Sequence, residues 1–71
     1  MKLNYGSILK MNWLGEEETV MLINNFTFGN EKHCCVLDLQ SKEILFDCKD
    51  TDEFIKEYGK QIIKIEEHYT L

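Results

Sequence analysis

The chain has 71 residues, 44% of them apolar and 30% charged, with a formal net charge of −5 and a sequence pI near 4.9. That length suits one domain, residues 1–71, without room for a second core, and the balance of apolar and charged residues argues against intrinsic disorder. All eight basic residues are lysines, so the arginine fork that reads guanine and clamps phosphate is missing; with the negative total, this argues against direct nucleic-acid binding and against an anionic membrane as partner.

In chain order, residues 7–13 alternate, with Leu9, Met11 and Trp13 on one face and Lys10 and Asn12 on the other. A first strand is expected there, closed by the turn Leu14-Gly15-Glu16. From Glu18 to Asn24, Thr19, Met21 and Ile23 share one face and Val20 and Leu22 the other. Apolar residues on both faces predict an interior strand, or one covered on both sides. Asn24-Asn25 is expected to bend or bulge the chain before Phe26-Thr27-Phe28, and Gly29-Asn30, both tolerant of positive φ, to reverse it.

Cys34 to Cys48 reads as a β-hairpin whose loop is Ser41-Lys42 or Gln40 to Glu43. Either loop sets Leu39 against Ile44, Leu37 against Phe46 and Cys35 against Cys48, with all six side chains on the core face. After Cys48 the period becomes helical. Asp50 with Glu53 three residues on resembles a capping box, Phe54, Ile55 and Tyr58 share a face, and Gly59 suits the C′ position. Gln61 to Glu66 returns to strand, with Ile63 and Ile65 inward and Ile62 partly covered, and residues 68–71 form a tail expected to fray. The order β-β-β-β-β-α-β, with the strand count open at Phe26, predicts an α+β fold, mainly β. It is a small, strongly bent antiparallel sheet or an SH3-like partly open barrel of about five to six strands, with one short helix before the last.

Chemistry is sparse. His33, Cys34, Cys35 and Cys48 form the one cluster with metal-ligating side chains, but there is no Cys-x-x-Cys knuckle and neighbouring strand residues point to opposite faces. Three cysteines behave more simply as reduced, buried hydrophobes, with Cys34 the more exposed thiol. Cys34 with His33 as base lacks both geometry and an oxyanion turn. No phosphate loop, nucleotide fingerprint or metalloprotease helix is present. The expectation is therefore a non-enzymatic protein with no catalytic residues, no metal and no cofactor. The opening Met1-Lys2-Leu3-Asn4-Tyr5-Gly6 lacks a signal-peptide core and no apolar run approaches a membrane span, which with the odd cysteine count predicts a cytoplasmic location.

Three features are candidate contact surfaces. The first is acidic: Asp47, Asp50, Asp52, Glu53 and Glu57, with Glu16-Glu17-Glu18 as a counterpart, fitted to a basic surface such as the nucleic-acid channel of a larger protein. The second is aromatic, drawn from Tyr5, Trp13, Phe26, Phe28 and Tyr69, most of which are expected in the core. The third is an exposed strand edge.

The segments Tyr5-Gly6-Ser7-Ile8-Leu9-Lys10, the Gly15-Glu16 turn, Val20-Met21-Leu22-Ile23, and a short helix Asp52 to Gly59 ahead of an isoleucine-rich last strand resemble small SH3-like barrel proteins of phages and prophages. The likeness is one of pattern over most of the chain and carries over no functional residues. It implies a tiny accessory protein from an AT-rich genome, a source to which the absence of alanine, arginine and proline also points. Such proteins often inhibit host enzymes or defence systems, anti-CRISPR proteins among them. The expected function is thus a protein-binding inhibitor or accessory factor, phage- or mobile-element-derived, that acts on a larger host protein through its acidic surface and a strand edge. The alternatives are a small-molecule-binding or self-assembling β-barrel, in which case a homo-oligomer is expected, and a thiol-based metal or redox protein.

Overall fold

The computed structural model describes residues 2–26 and 32–67. Five strands, β1 (Ile8–Trp13), β2 (Glu16–Phe26), β3 (Lys32–Asp38), β4 (Ile44–Cys48) and β5 (Ile62–Glu67), form one sheet in the order β4-β3-β2-β1-β5. Every neighbouring pair is antiparallel. One helix, α1 (Thr51–Tyr58), and a 3-10 turn (Gly59–Gln61) carry the chain from one edge strand to the other. The architecture is α+β and mainly β, with the helix before the last strand, as the sequence pattern predicts.

The alternation of β1 and β2 builds the core. Leu9 and Met11 from β1 and Val20 and Leu22 from β2 are fully buried, joined by Cys34, Val36, Cys48 and Phe54. β2 is an interior strand, as its apolar pattern on both faces requires. It also runs unbroken through Asn24-Asn25, pairing as far as Phe26↔Lys32, so no separate strand begins at Phe26. The remainder of the Phe26-Thr27-Phe28 run, the Gly29-Asn30 turn and the tail at 68–71 lie outside the described residues.

Two tight turns depend on glycine. Leu14 (φ 51°) and Gly15 (φ 90°) both take positive φ, the conformation that joins hairpin strands with matching twist. Asn12 Oδ1 accepts a hydrogen bond from Gly15 N at 2.9 Å and braces that turn. Upstream, Ser7 N donates to Asn4 O (3.2 Å) across a turn in which Gly6 holds φ 95°. That reversal lets Leu3 fold back into the core, where it is 1% exposed. Burying a leucine contributes roughly 1.5–3 kcal/mol, a role that Leu3, set between Lys2 and Asn4, does not advertise in sequence.

The β3–β4 hairpin differs from the expected register. Its loop is Leu39 to Lys42, closed by Asp38 N to Glu43 O (2.8 Å) and Lys42 N to Asp38 O (2.8 Å). Asp38 Oδ1 accepts from Gln40 N at 2.9 Å, starting the turn one residue before the apolar pattern does. Leu37 therefore opposes Ile44, and a bulge then inserts Leu45, so that Val36 opposes Phe46 and Cys34 opposes Cys48. A one-residue slip turns a whole strand over. The pairs expected from the apolar pattern (Leu39 with Ile44, Leu37 with Phe46, Cys35 with Cys48) are thus replaced. Cys34 and Val36 face the core, Leu37 and Leu39 are half-buried, and Ile44 is 44% exposed.

Strand β5 also departs from unbroken alternation through a bulge. β5 pairs Leu9↔Ile65, Lys10↔Lys64 and Met11↔Ile62, with a shift that leaves Ile63 as the extra residue. Ile62 and Ile65 consequently pack on the core while Ile63, expected inward, is 51% exposed. A bulged strand bends and twists more strongly. Both edge strands carry such a bulge.

Helix α1 follows its sequence signals closely. Asp50 Oδ1 accepts from Glu53 N (2.8 Å), while Glu53 Oε2 accepts from Lys49 N (2.7 Å). This is a capping box displaced by one residue at its return bond. Phe54 is buried, and Ile55 and Tyr58 are half-buried against the same core. Gly59 does not turn left-handed: at φ −58° it remains right-handed and leads into the 3-10 turn.

Leu14 is 106% exposed at its left-handed position, so it gains no packing while its Cβ crowds the backbone. Replacing it with asparagine, which tolerates that conformation, should raise the urea-unfolding free energy by about 1 kcal/mol. An equal or lower value would contradict this strained turn.

Candidate functional site

The core-facing side of the sheet ends in a cluster of rings. Trp13 closes β1, Phe46 lies in β4 and Tyr58 ends α1. Trp13 meets Phe46 edge-on (centroids 5.6 Å, planes at 89°) and Tyr58 at 5.6 Å and 69°. Phe46 and Tyr58 lie 4.6 Å apart at 42°, and Phe54 backs Tyr58 at 5.9 Å. Such edge-to-face contacts are favourable by about 0.5–1.5 kcal/mol beyond area burial. Three distant chain segments are therefore tied at one point.

Beside these rings lies an open groove of ≈ 340 Å³ lined by Trp13, Glu18, Leu45, Phe46 and Tyr58. Each lining residue has a local reason to be there. The Leu14-Gly15 turn brings Glu18 alongside Met11, two residues from Trp13 on the same face. The β4 bulge displaces Leu45, 40% exposed, and returns Phe46 to the inner side. Trp13 Nε1 is buried without a hydrogen-bond partner among the described residues.

The acidic residues singled out from sequence divide into three kinds. Asp50 and Glu53 are caps, their carboxylates committed to backbone N–H groups. Asp47 and Glu17 have side-chain partners: His33 Nδ1 donates to Asp47 Oδ2 at 2.7 Å, and Lys10 Nζ lies 3.9 Å from Glu17. The side chains of Glu16, Glu18, Asp52 and Glu57 make no hydrogen bond or ion pair among the described residues. Of these Glu18 is half-buried and lines the groove, while the other three are exposed. The structure thus joins Glu18 to Phe46 and Tyr58, a neighbourhood that sequence spacing conceals because it spans three elements. Of the aromatic candidates, Trp13 belongs to the groove and Tyr5 is 36% exposed, while the side chains of Phe26, Phe28 and Tyr69 lie outside the described set.

The cysteines are not arranged for chemistry. All three are free and buried, so Cys34 is not the more exposed thiol. Cys34 is fully buried beside Cys48, and desolvation, followed by the charge that Cys48 would carry, pushes its thiol up to about 12. Cys48 rises to about 11 through desolvation and then the neighbouring Glu53 and Asp47. Nucleophilic and metal-binding cysteines need the opposite shift. Among the described residues no group of three or more His, Cys, Asp or Glu is placed to hold a metal ion, and no helix is long and apolar enough to cross a membrane.

No family model, curated protein or solved structure matches the chain.

The raised thiols set an alkaline limit on stability. An unfolded cysteine ionises near 9.0, whereas Cys34 and Cys48 hold their protons to about 12 and about 11 in the fold. The folded state then binds more protons than the unfolded state, so this stabilisation is complete below pH 9.0 and is lost as pH rises through those values. The urea midpoint should fall steadily from pH 9.0 to about 11, and less steeply in Cys34→Ala. A flat alkaline profile would contradict buried, protonated thiols.

Proposed function

We propose that the chain is a non-catalytic protein-binding inhibitor or accessory factor, of phage or mobile-element origin, that acts in the cytoplasm on a basic surface of a larger host enzyme or defence protein. The observation that carries this reading is the groove of Trp13, Phe46 and Tyr58, open to solvent, walled by Leu45 and the unpaired carboxylate of Glu18. Tryptophan and tyrosine are the side chains that most often anchor protein interfaces. Exposed Glu16, Asp52 and Glu57 add negative charge that favours encounter with a basic partner.

Strand addition contributes less to this reading than the face does. β4 and β5 are the sheet edges, but each is short and bulged, a device that blunts pairing with another chain. The strand order, with one short helix linking the two edges, supports the SH3-like partly open barrel expected from sequence. The alternative of a self-assembling barrel would have to pair through these same edges, and native mass spectrometry would then show a stable oligomer.

Affinity capture from a bacterial host lysate tests the proposal if the bait variants spare the helix caps. Reversing Asp50 or Glu53 would unravel the start of α1 and confuse binding with folding. The double variant Asp52→Lys/Glu57→Lys touches exposed positions only. A partner should be retained by the natural chain at about 0.05 M salt, and released by the double variant or by about 0.5 M salt. A complex indifferent to both would sink the acidic-surface reading.

A further inference from the structure

We infer that the groove formed by Trp13, Phe46, Tyr58, Leu45 and Glu18 is the receptor for a single arginine side chain of the protein partner, an inference that rests on the protein-binding reading above. Volume, ring geometry and charge each restrict the occupant. At ≈ 340 Å³ the groove is at the small end of the ~300–1,000 Å³ typical of ligand sites, suited to one side chain. Phe46 and Tyr58, 4.6 Å apart, leave no space between them, so an occupant must lie over the ring faces. Trp13 stands at 89° to Phe46 and 69° to Tyr58, and the planes make a corner with two kinds of wall. A planar cation fits such a corner, stacking on one ring with its edge against another.

Charge selects the guanidinium. Glu18 is half-buried at the groove wall and no described cation approaches it, although Lys10 and Lys64 find other carboxylates. A half-buried carboxylate at the wall of an aromatic groove is stabilised by an incoming cation far more than by a neutral apolar group. Arginine supplies both halves of the match: a fork of parallel N–H donors for Glu18 and a flat, weakly hydrated face for the rings. This chain has no arginine of its own, so no intramolecular copy of that side chain competes for the groove.

Trp13 is the one tryptophan, which makes its emission a reporter of this groove alone. The full chain would be titrated with the blocked tripeptide Gly-Arg-Gly and with its citrulline counterpart, which keeps the shape and loses the charge. Saturable change in Trp13 emission is expected for the arginine peptide, with half-saturation on the order of 1–10 mM for so small a ligand. At least tenfold weaker binding is expected for the citrulline peptide, and for Glu18→Gln with unchanged circular dichroism and melting, since losing one charge-assisted contact is worth about a factor of ten or more. Tyr58→Leu, also checked for melting, should weaken binding without affecting the Glu18 carboxylate. Equal response to both peptides would mean an apolar docking groove and overturn the inference. So would an emission change that follows protein concentration alone with dimer formation in sedimentation, because a second copy would then be the occupant. Absence of any saturable response would overturn it as well, while host-lysate capture that still depends on salt and on Asp52 and Glu57 would leave the broader protein-binding reading standing.

Discussion

Where Asp38 begins its turn decides which side of β3 and β4 becomes the interior. Its carboxylate accepts the N–H of Gln40 while its backbone N–H donates to Glu43 O, so the loop closes one residue earlier than the run of apolar side chains suggests. From that start the pairing would send Leu45 inward and Phe46 outward, were it continued without interruption. The bulge at Leu45 reverses this, placing Phe46 opposite Val36 on the core face. Trp13 and Tyr58 then have a third ring to meet, and the groove beside them has its floor. Turn, bulge and aromatic corner are one chain of cause.

The same logic separates acids that hold the fold from acids that face a partner. A cluster that looks uniform in sequence is heterogeneous in three dimensions. Asp50 and Glu53 satisfy backbone donors at the start of α1, a contribution of about 1 kcal/mol for a cap. Asp47 is held by His33 across the strands. Glu18 is different because strand β2 carries it to a groove lined by the rings of three other elements, where no described group balances its charge. Function is proposed to reside in that imbalance, at the end of the core and away from the buried thiols.

Much of the architecture was legible in the residue pattern. The alternation of Leu9, Met11 and Trp13, the two-faced run of β2, and the Asp50–Glu53 cap are local signals, and the fold obeys them. What the pattern misplaced were registers. Cys35 with Cys48 and an inward Ile63 both follow from assuming unbroken two-residue alternation, which a bulge cancels by inserting one residue. Nothing in Ile44-Leu45-Phe46 or Ile62-Ile63 marks which apolar residue is the extra one, because each would serve on either face. Of the candidate site, Trp13 and Glu18 were visible individually; their union with Phe46 and Tyr58 needed the sheet order and the helix crossing. Leu3 was overlooked for a comparable reason, since only the Gly6 turn brings it back to the core.

Cross-strand nuclear Overhauser contacts read the register that creates the groove. This register requires contacts pairing Cys34 with Cys48 and Val36 with Phe46, together with ring-to-ring contacts from Trp13 to Phe46 and Tyr58. Contacts pairing Cys35 with Cys48 and Leu37 with Phe46, with Trp13 remote from Tyr58, would contradict it.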